Sequence, residues 1–279
     1  MRLYERHIDD MFTKKELVVK SNRIVEASYR LTLNEQRIIL YAISRAREEQ
    51  RGLFPDLPVT ITAETFLKQF PSVDKSNVYD QLKEAMDDLY ERSVTYYDID
   101  PETGNDRVNK TRWISKASYI DGAGRVQVVF TPAVIEHITR LEAEFTSYQL
   151  EKVSKMTSAY AIRLYEMLAQ YREVGSRELN LKWLRDALQI GEHEYKLTGD
   201  LKKWVLDISV KQINEHSDLK VSYTPKKTGR AITDFVFKIK EKASPSKSRK
   251  SAIPSDQALR DELEKRGQQR ICDDSNESF

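Results

Sequence analysis

The stretch of sequence that decides the fold is residues 199–240, GDLKKWVLDISVKQINEHSDLKVSYTPKKTGRAITDFVFKIK. Its first part predicts a helix, because apolar side chains recur at 3.6-residue spacing on one stripe. The stripe consists of Leu201, Val205, Ile208 and Gln212, flanked by Trp204 and Ile213. After Asp218 the apolar period changes to two, which predicts a strand, a turn at 225–230 and a return strand. The stretch is therefore predicted to form a helix followed by a hairpin.

Positive charge is concentrated in this predicted hairpin. Residues 219–243 contain seven Lys and Arg against two acids, a net charge of +5, whereas the whole chain carries only +2. A helix with a polar outer face followed by a basic hairpin is how a winged-helix domain meets DNA, with the helix in the major groove and the wing along the backbone. Surface hairpins also carry lysines merely for solubility. The local excess nevertheless favours DNA contact.

The composition limits which other classes of protein the chain could belong to. The chain has 279 residues, 39% hydrophobic and 32% charged, which is typical of a charge-rich globular protein with one large or two medium domains. The sequence contains no run of 18 apolar residues, so no membrane span is predicted, and acids near the N-terminus argue against an export signal. We therefore expect a cytoplasmic protein. A single cysteine, Cys272, and four scattered histidines predict no disulfide framework, no metal site and no cofactor.

The predicted elements occur twice in the same order, at a spacing of about 120 residues. Each copy has a helix, a short strand, a short helix, a break, a longer helix and a hairpin, which is a helix-turn-helix with a wing. A capping box formed by Thr32 and Glu35 opens the first copy. The first copy is predicted as helices 33–49, 63–70 and 74–92 with strands at 59–61, 93–98, 110–120 and 125–131, followed by a helix at 132–143. The second copy is predicted as helices 156–173, 182–189 and 199–216, with a short strand at Leu179 and Leu181 before its hairpin.

We therefore predict an α+β protein built from two tandem winged-helix domains, with a flexible C-terminal tail. The predicted divisions are an N-terminal arm at 1–16, a first domain at 17–144, a second domain at 145–243 and the tail at 244–279. Residues 1–144 carry 21 cations and 24 anions, net −3, whereas residues 145–243 carry 18 and 13, net +5. We expect the second domain to be the main DNA-binding domain. The first is expected to add weaker DNA contacts and to mediate dimerisation.

The candidate DNA-binding residues follow from this division. Those of the second domain are Lys196, Lys202, Lys203 and Asn214 around the long helix and Lys220, Lys226, Lys227 and Arg230 on the hairpin. In the first domain the outward face of the long helix is acidic, which disfavours contact with phosphates. Its candidates are therefore at the start of that helix, Lys75, Ser76 and Asn77, and on the following strands, Lys110 and Arg112.

Three segments together resemble a known family. They are LVVKSNRIVEASYRLTLNEQRIILYAIS (17–44), AYAIRLYEML (159–168) and the stretch from Leu201 to Lys240. In order and separation they resemble the iteron-binding replication initiator proteins of bacterial plasmids. Trp204 departs from that pattern, since relatives often have a second basic residue beside the position of Lys203.

The resemblance implies a function beyond DNA contact. Such proteins bind direct repeats (iterons) at a plasmid origin, recruit the host initiator, replicative helicase and primase, and control plasmid copy number. Members tend to dimerise through the first domain, and the dimer represses its own gene at an inverted repeat in the operator. The expected partners are thus double-stranded DNA, a second copy of the chain and host replication proteins, with no membrane partner.

Other functions fit the pattern less well. A nicking initiator needs a catalytic tyrosine beside clustered histidines, and an ATP-driven one needs a GxxxxGK[ST] loop, neither of which is present. We therefore expect no enzyme and no catalytic residue. A transcriptional regulator with two winged helices would use the same DNA contacts, and a partition or adaptor protein would use the helix and wing to bind protein. Direct repeats in the neighbouring DNA would favour the initiator.

Overall fold

The computed structural model describes residues 16–49, 51–120, 122–139 and 145–243. The arm predicted at 1–16, apart from Glu16, and the tail predicted at 244–279 lie outside these residues. The described part begins with β1 (Leu17–Ser21), α1 (Asn22–Glu26) and α2 (Leu33–Glu49).

The predicted capping box starts α2. The Thr32 N–H donates to Glu35 Oε2 at 2.8 Å, and the Glu35 N–H donates back to Thr32 Oγ1 at 3.4 Å. Two of the N–H groups that a helix start leaves unpaired are thereby satisfied. The sequence prediction of this helix start is confirmed.

The first winged helix consists of three helices and a three-stranded sheet. Its elements are α2, β2 (Val59–Thr62), α3 (Ala63–Gln69), α4 (Val78–Glu91), β5 (Ile114–Ile120) and β6 (Arg125–Phe130). The sheet has the order β2-β6-β5, and both pairs are antiparallel. Buried Val126 and Val128 on β6 face the core between the helices and the sheet.

A separate two-stranded hairpin is inserted between α4 and this sheet. It pairs β3 (Ser93–Ile99) with β4 (Asp106–Arg112) along their whole length. The sequence prediction of one strand over 110–120 is wrong, because the chain leaves β4 at Arg112, buries Trp113 completely and only then enters β5.

Three short elements connect the two halves. They are α5 (Pro132–Thr139), β7 (Phe145–Gln149) and α6 (Glu151–Ser154). Strand β7 pairs antiparallel with β1, so that Leu17 lies opposite Gln149. Neither β7 nor α6 was expected from sequence, because both are short and the partner of β7 lies far away along the chain.

The second winged helix repeats the topology of the first. Its elements are α7 (Ala159–Ala169), β8 (Ser176–Asn180), α8 (Leu181–Ala187), α9 (Thr198–Leu201), α10 (Asp207–His216), β9 (Leu219–Thr228) and β10 (Ala231–Glu241). The sheet order β8-β10-β9 is the counterpart of β2-β6-β5, since in each half the first short strand pairs with the last strand of the hairpin. The predicted pseudo-repeat and winged-helix class are confirmed. Helix α7 begins later than predicted because Ser158 caps it, and it ends at Ala169, earlier than predicted.

A π-helical segment joins α9 to α10. The Asp207 N–H bonds to the carbonyl of Lys202, so residues Lys202–Leu206 form a wider turn within one helical run, 198–216. The wider turn adds one residue, which makes Val205 and Leu206 consecutive buried positions. The predicted apolar stripe therefore holds only as far as Val205. Beyond it the buried positions are Leu206, Ser209 and Ile213, not Ile208 and Gln212.

The two halves share one continuous apolar core, which extends from β1 to β10. At its centre is a buried ionic cluster in which Lys20 Nζ of β1 lies 2.7 Å from Glu166 Oε1 of α7. Tyr148 of β7 donates to the same carboxylate, and Arg163 and Tyr29 contact its other oxygen, each at 3.5 Å. Burial alone would raise the pKa of Glu166, but Lys20 and Arg163 outweigh it and lower that pKa. The predicted domain boundary at 144/145 stays a prediction, and β1, β7 and α7 contact one another across it.

Candidate nucleic-acid interface

The turn between α8 and the helical run 198–216 is built around one guanidinium. Arg185 Nη2 donates to the carbonyls of Gly191 and Glu194 at 2.8 and 2.7 Å, and its Nη1 donates to the Tyr195 carbonyl at 3.1 Å. The Glu194 carboxylate in turn receives a bidentate pair from Arg30 of the first half, at 2.7 and 2.9 Å. The loop is thus fixed from both sides, which sets the angle at which the long helix begins.

The helical run presents a mixed outer face. Lys203, Trp204, Lys211 and Glu215 are exposed, and predicted Lys202 is half-buried. The Lys203 ammonium lies over the Trp204 ring, 4.5 Å from its centroid. The exposure of Trp204 was not expected, because in a regular α-helix it would have flanked the buried stripe.

Two of the candidates around this helix have different surroundings. Lys196 is exposed in the turn that precedes the run. Asn214 has its amide engaged: the Val221 N–H donates to its Oδ1 at 2.6 Å, and its Nδ2 donates to the Val221 carbonyl at 2.8 Å. The structure therefore places Asn214 at the junction of α10 and β9, where it fixes the start of the wing. A role in base recognition would require breaking this pair, and a DNA contact of Asn214 stays a prediction.

The wing is longer and tighter than the sequence predicts. Residues Pro225–Thr228 continue β9, and the turn consists of Gly229 and Arg230, with Gly229 at a positive φ of 63°. The predicted loop at 225–230 is therefore wrong, because the β9–β10 pairing extends to Thr228 and Ala231. Such a two-residue connection favours glycine. The wing thus projects as a paired two-stranded ribbon rather than as a loop.

The cations of the wing fall into two groups. Lys220, Lys227 and Arg230 are exposed, and no described residue forms an ion pair with them. Lys226 is also exposed, but its Nζ lies 2.7 Å from Glu178 Oε1 on β8, and this contact raises its pKa. Three of the four predicted wing cations are therefore available for phosphates, and the fourth must first leave its partner.

Side-chain hydrogen bonds join the wing to the helical run at two places. Tyr223 of β9 donates its hydroxyl to Asp207 Oδ1 at 2.6 Å. Lys242, after β10, donates to the carbonyls of Asn214 and Ser217 at 2.6 and 2.7 Å, which satisfies the C-terminal end of α10. Lys242 contributed to the +5 count, but its ammonium serves the fold.

The candidates of the first half are less well placed. Lys75, Ser76 and Asn77 are exposed, but they lie in a turn before α4 rather than in the helix. The turn forms because the Ser76 N–H bonds to Asp74 Oδ1 and because Asn77 adopts a left-handed conformation, with φ of 57°. The predicted helix start at 74 is wrong for this reason.

The two strand candidates of the first half lie on the inserted hairpin. Lys110 is exposed on β4, whereas the guanidinium of Arg112 is 2.8 Å from Glu91 Oε2, donates to the Tyr90 carbonyl at 3.0 Å and covers the Tyr90 ring. Both were predicted on a wing strand. They instead belong to the β3–β4 sheet, which is separate from the β5–β6 hairpin equivalent to the wing.

The outer face of α4 is acidic, in agreement with the sequence prediction. Its exposed residues include Asp80, Glu84, Asp87, Asp88 and Glu91. These carboxylates would repel DNA phosphates. The structure thus concentrates the exposed cations of the helix-turn-helix units in the second half. In the described ranges no group of His, Cys, Asp or Glu side chains is arranged to hold a metal ion, and no helix there is long and apolar enough to cross a membrane.

Comparisons with known proteins agree with this architecture. A family model described as Initiator Replication protein, WH1, matches residues 17–169, and one described as Initiator Rep protein, WH2, matches residues 180–239. An Escherichia coli protein described as an uncharacterized 27.6 kDa protein is 26% identical over 246 residues, which cover 85% of this chain and all of that protein.

Two solved structures are similar to this chain, one over most of its length and one over a smaller part. The Pi initiator protein, solved in complex with iteron DNA, gives a TM-score of 0.67 at 19% identity over 83% of this chain and 100% of that one, a likeness of fold. The WH1 domain of a replication protein isolated from a multiple sclerosis patient is 39% identical over 40% of this chain and 83% of its own, with a TM-score of 0.34.

Proposed function

Because the chain belongs to the initiator replication protein family, with WH1 and WH2 models that match residues 17–169 and 180–239, we propose that it initiates plasmid replication by binding iterons at the origin. The observation that carries this proposal is the surface of the second winged helix. Exposed Lys203 lies on its long helix, and exposed Lys227 and Arg230 lie on its wing. A helix that reads base edges and a wing that follows the phosphates form a sequence-specific duplex-binding unit. The Pi initiator, of similar fold, was solved with iteron DNA.

The two halves have unequal roles in this proposal. The second half supplies most of the affinity, through Lys196, Lys202, Lys203, Lys220, Lys226, Lys227 and Arg230. The first half adds weaker contacts through the turn that contains Lys75, Ser76 and Asn77 and through Lys110. The acidic face of α4 keeps the first half from binding DNA strongly by itself.

Dimerisation through the first half belongs to the same proposal. The β4 edge has no second partner strand among the described residues, and it can pair with its symmetry mate. Beside that edge, Tyr97, Ile99 and Val108 are 61%, 56% and 62% exposed, and Tyr97 lies directly opposite Val108. Pairing would place these apolar side chains beside those of the partner strand and so shield part of their surface from water. By mass action a dimer forms at high copy number and represses the gene at an inverted repeat, while the monomer occupies iterons.

The protein acts by binding and recruitment in this proposal, without a catalytic centre of its own. Iteron-bound protein bends or melts the adjacent DNA and recruits the host initiator and replicative helicase. This work takes place on a plasmid, hence in the bacterial cytoplasm.

A footprint on the DNA that flanks the coding region tests the function. We expect protection at several direct repeats beside an A·T-rich segment, with the same bases protected in every repeat. Protection of a lone promoter inverted repeat, with no direct repeat bound, would instead identify a transcriptional regulator with two winged helices.

A further inference from the structure

Trp204 is a large aromatic residue exposed on the outer side of the helix that is proposed to enter the major groove. Its exposed fraction is 50%, whereas its neighbours Val205 and Leu206 are exposed by only 1% and 0%. A single exposed apolar side chain on a protein surface is ordinary. Trp204 differs from such ordinary exposed residues in its position, because it lies in the π-helical segment Lys202–Leu206 of the helix that is proposed to face DNA.

The π-helical segment is what gives Trp204 this place. One extra residue in the turn lets both Val205 and Leu206 face the core, and the preceding Trp204 stays outside. Extra-residue turns of this type occur often at functional sites. Trp204 therefore projects from the first half of the helical run 198–216, close to Lys202 and Lys203.

Lys203 determines which parts of the indole can meet a ligand. Its ammonium lies 4.5 Å from the centroid of the Trp204 ring and covers one face. The Lys203 ammonium would have to leave this face before the ring could insert between two base pairs, because an inserted ring stacks on both faces. The open face and the ring edge remain available to a groove surface.

The major groove offers one apolar group to such a ring. Among the four base pairs only those with thymine present a methyl group there, whereas the other groups are hydrogen-bond donors and acceptors. We propose that Trp204 is a specificity-determining residue that packs against the methyl group of a thymine in the bound repeat, with Lys203 beside it at a phosphate or base acceptor. This inference rests on the proposed iteron binding and names the base that the site reads.

Replacement of thymine by uracil tests the contact directly, because it removes only the methyl group. The full-length protein first selects its preferred duplex from random sequences, and each thymine of that duplex is then replaced in turn by deoxyuridine. For the unchanged protein we expect one or two positions at which affinity falls by roughly fourfold, the value of one buried methyl group.

The Trp204→Ala protein should bind the thymine duplex more weakly than the unchanged protein does. It should bind the thymine and uracil duplexes with equal affinity, so the ratio of the two affinities at those positions falls to about one. Trp204→Phe should keep part of the ratio, since a smaller ring still reaches the methyl group. Lys227→Ala is the matched control: it should weaken binding to both duplexes alike and leave the ratio unchanged.

The outcomes separate this inference from the proposed function. If the unchanged protein selects a duplex but no thymine position responds to uracil, or if Trp204→Ala keeps the full ratio, the contact is wrong while DNA binding stands. If no sequence is selected, the proposed function fails and the contact fails with it.

Discussion

Lys226 and Lys227 are neighbours on the wing, yet among the described residues only Lys226 has a carboxylate partner, at 2.7 Å on Glu178. We expect Lys227→Ala to weaken binding to all DNA sequences similarly and to lower the slope of log K against log salt by about one unit, because one phosphate contact is lost. Lys226→Ala should change the slope less, since its ammonium must leave Glu178 before it can meet a phosphate. Salt titrations of the dissociation constant measure both slopes, and equal changes for the two variants would contradict the assignment.

Glu166 is the carboxylate that neutralises a buried lysine. Its Oε1 lies 2.7 Å from Lys20, whose side chain is 1% exposed. Glu166→Gln leaves that ammonium buried without a counter-charge, so we expect the free energy of unfolding to fall by about 3–5 kcal/mol. Glu241→Gln, which removes an exposed partner of Arg172, is the control and should change stability by less than about 0.5 kcal/mol. Urea unfolding compares the two variants, and a loss below about 1 kcal/mol for Glu166→Gln would refute the role of the cluster.

At the scale of single residues, the sequence predicts which side chains are exposed better than it predicts which residues those side chains contact. The outward placement of Lys203 followed from helical periodicity, and that of Lys227 followed from its place in the predicted turn; both are local properties. The contacts of Arg112 with Glu91, of Lys226 with Glu178 and of Asn214 with Val221 did not follow from local patterns. Each depends on how separate elements meet, and that information is not present in the spacing of residues along one element.

Strand β1 and helix α5 meet at His137. Its Nδ1 lies 2.8 Å from Ser21 Oγ, and its ring packs edge-on against Tyr96. Burial, and then the positive charge of Arg23, lower the pKa of His137. The unfolded chain therefore binds a proton more readily, so this contribution to stability is present above about pH 6.5 and is lost as pH falls below it.

Thermal unfolding tests this pH dependence. Between about pH 7 and pH 5.5 the melting temperature of the unchanged protein should fall more than that of His137→Gln, which keeps a hydrogen-bonding side chain but does not titrate. His193→Gln is the control, because His193 is exposed. Parallel curves for the unchanged protein and His137→Gln would contradict the expected linkage.

The inserted β3–β4 hairpin is the element on which the proposed dimerisation depends. Val108 is 62% exposed in the centre of its apolar face. Val108→Asp should shift the protein towards monomer at a given concentration, because pairing would bring the new carboxylate against the side chains of the partner strand, and it should leave the melting temperature of the monomer nearly unchanged. Val174→Asp is the matched control, since Val174 is 70% exposed in the second half. Sedimentation across a range of concentrations would contradict the proposal if both variants kept the same oligomeric state as the unchanged protein.

Elements with strong local signals were predictable, and those held by distant partners were not. The Thr32–Glu35 capping box, the long helices and the β9–β10 hairpin follow from caps, periodicity and turn residues. The β1–β7 pair has no local signal, because Leu17 meets Gln149 only through the fold. The π-helical segment was also missed, since the sequence pattern of an extra-residue turn differs little from that of a regular helix.

At the scale of the whole molecule, one topology occurs twice and its two copies differ in charge. Both sheets have the same strand order, yet the helix of the first copy presents Glu84, Asp87 and Asp88, while that of the second presents Lys203 and Lys211. The repeat was predictable from the pattern of apolar and polar residues, and the charge difference was predictable from the composition of each half. The shared core was not, since contact between the halves leaves no periodic signal in either.

The central claim is that the second winged helix supplies most of the affinity for the repeated DNA. The most direct measurement compares two paired variants of the full chain on one duplex that contains a direct repeat from the flanking DNA. Lys203→Ala with Lys227→Ala removes exposed cations of the second half, and Lys75→Ala with Lys110→Ala removes the same number from the first half. We expect the second-half pair to lose at least about tenfold in affinity and the first-half pair about threefold or less. A first-half loss as large as the second-half loss would contradict the claim.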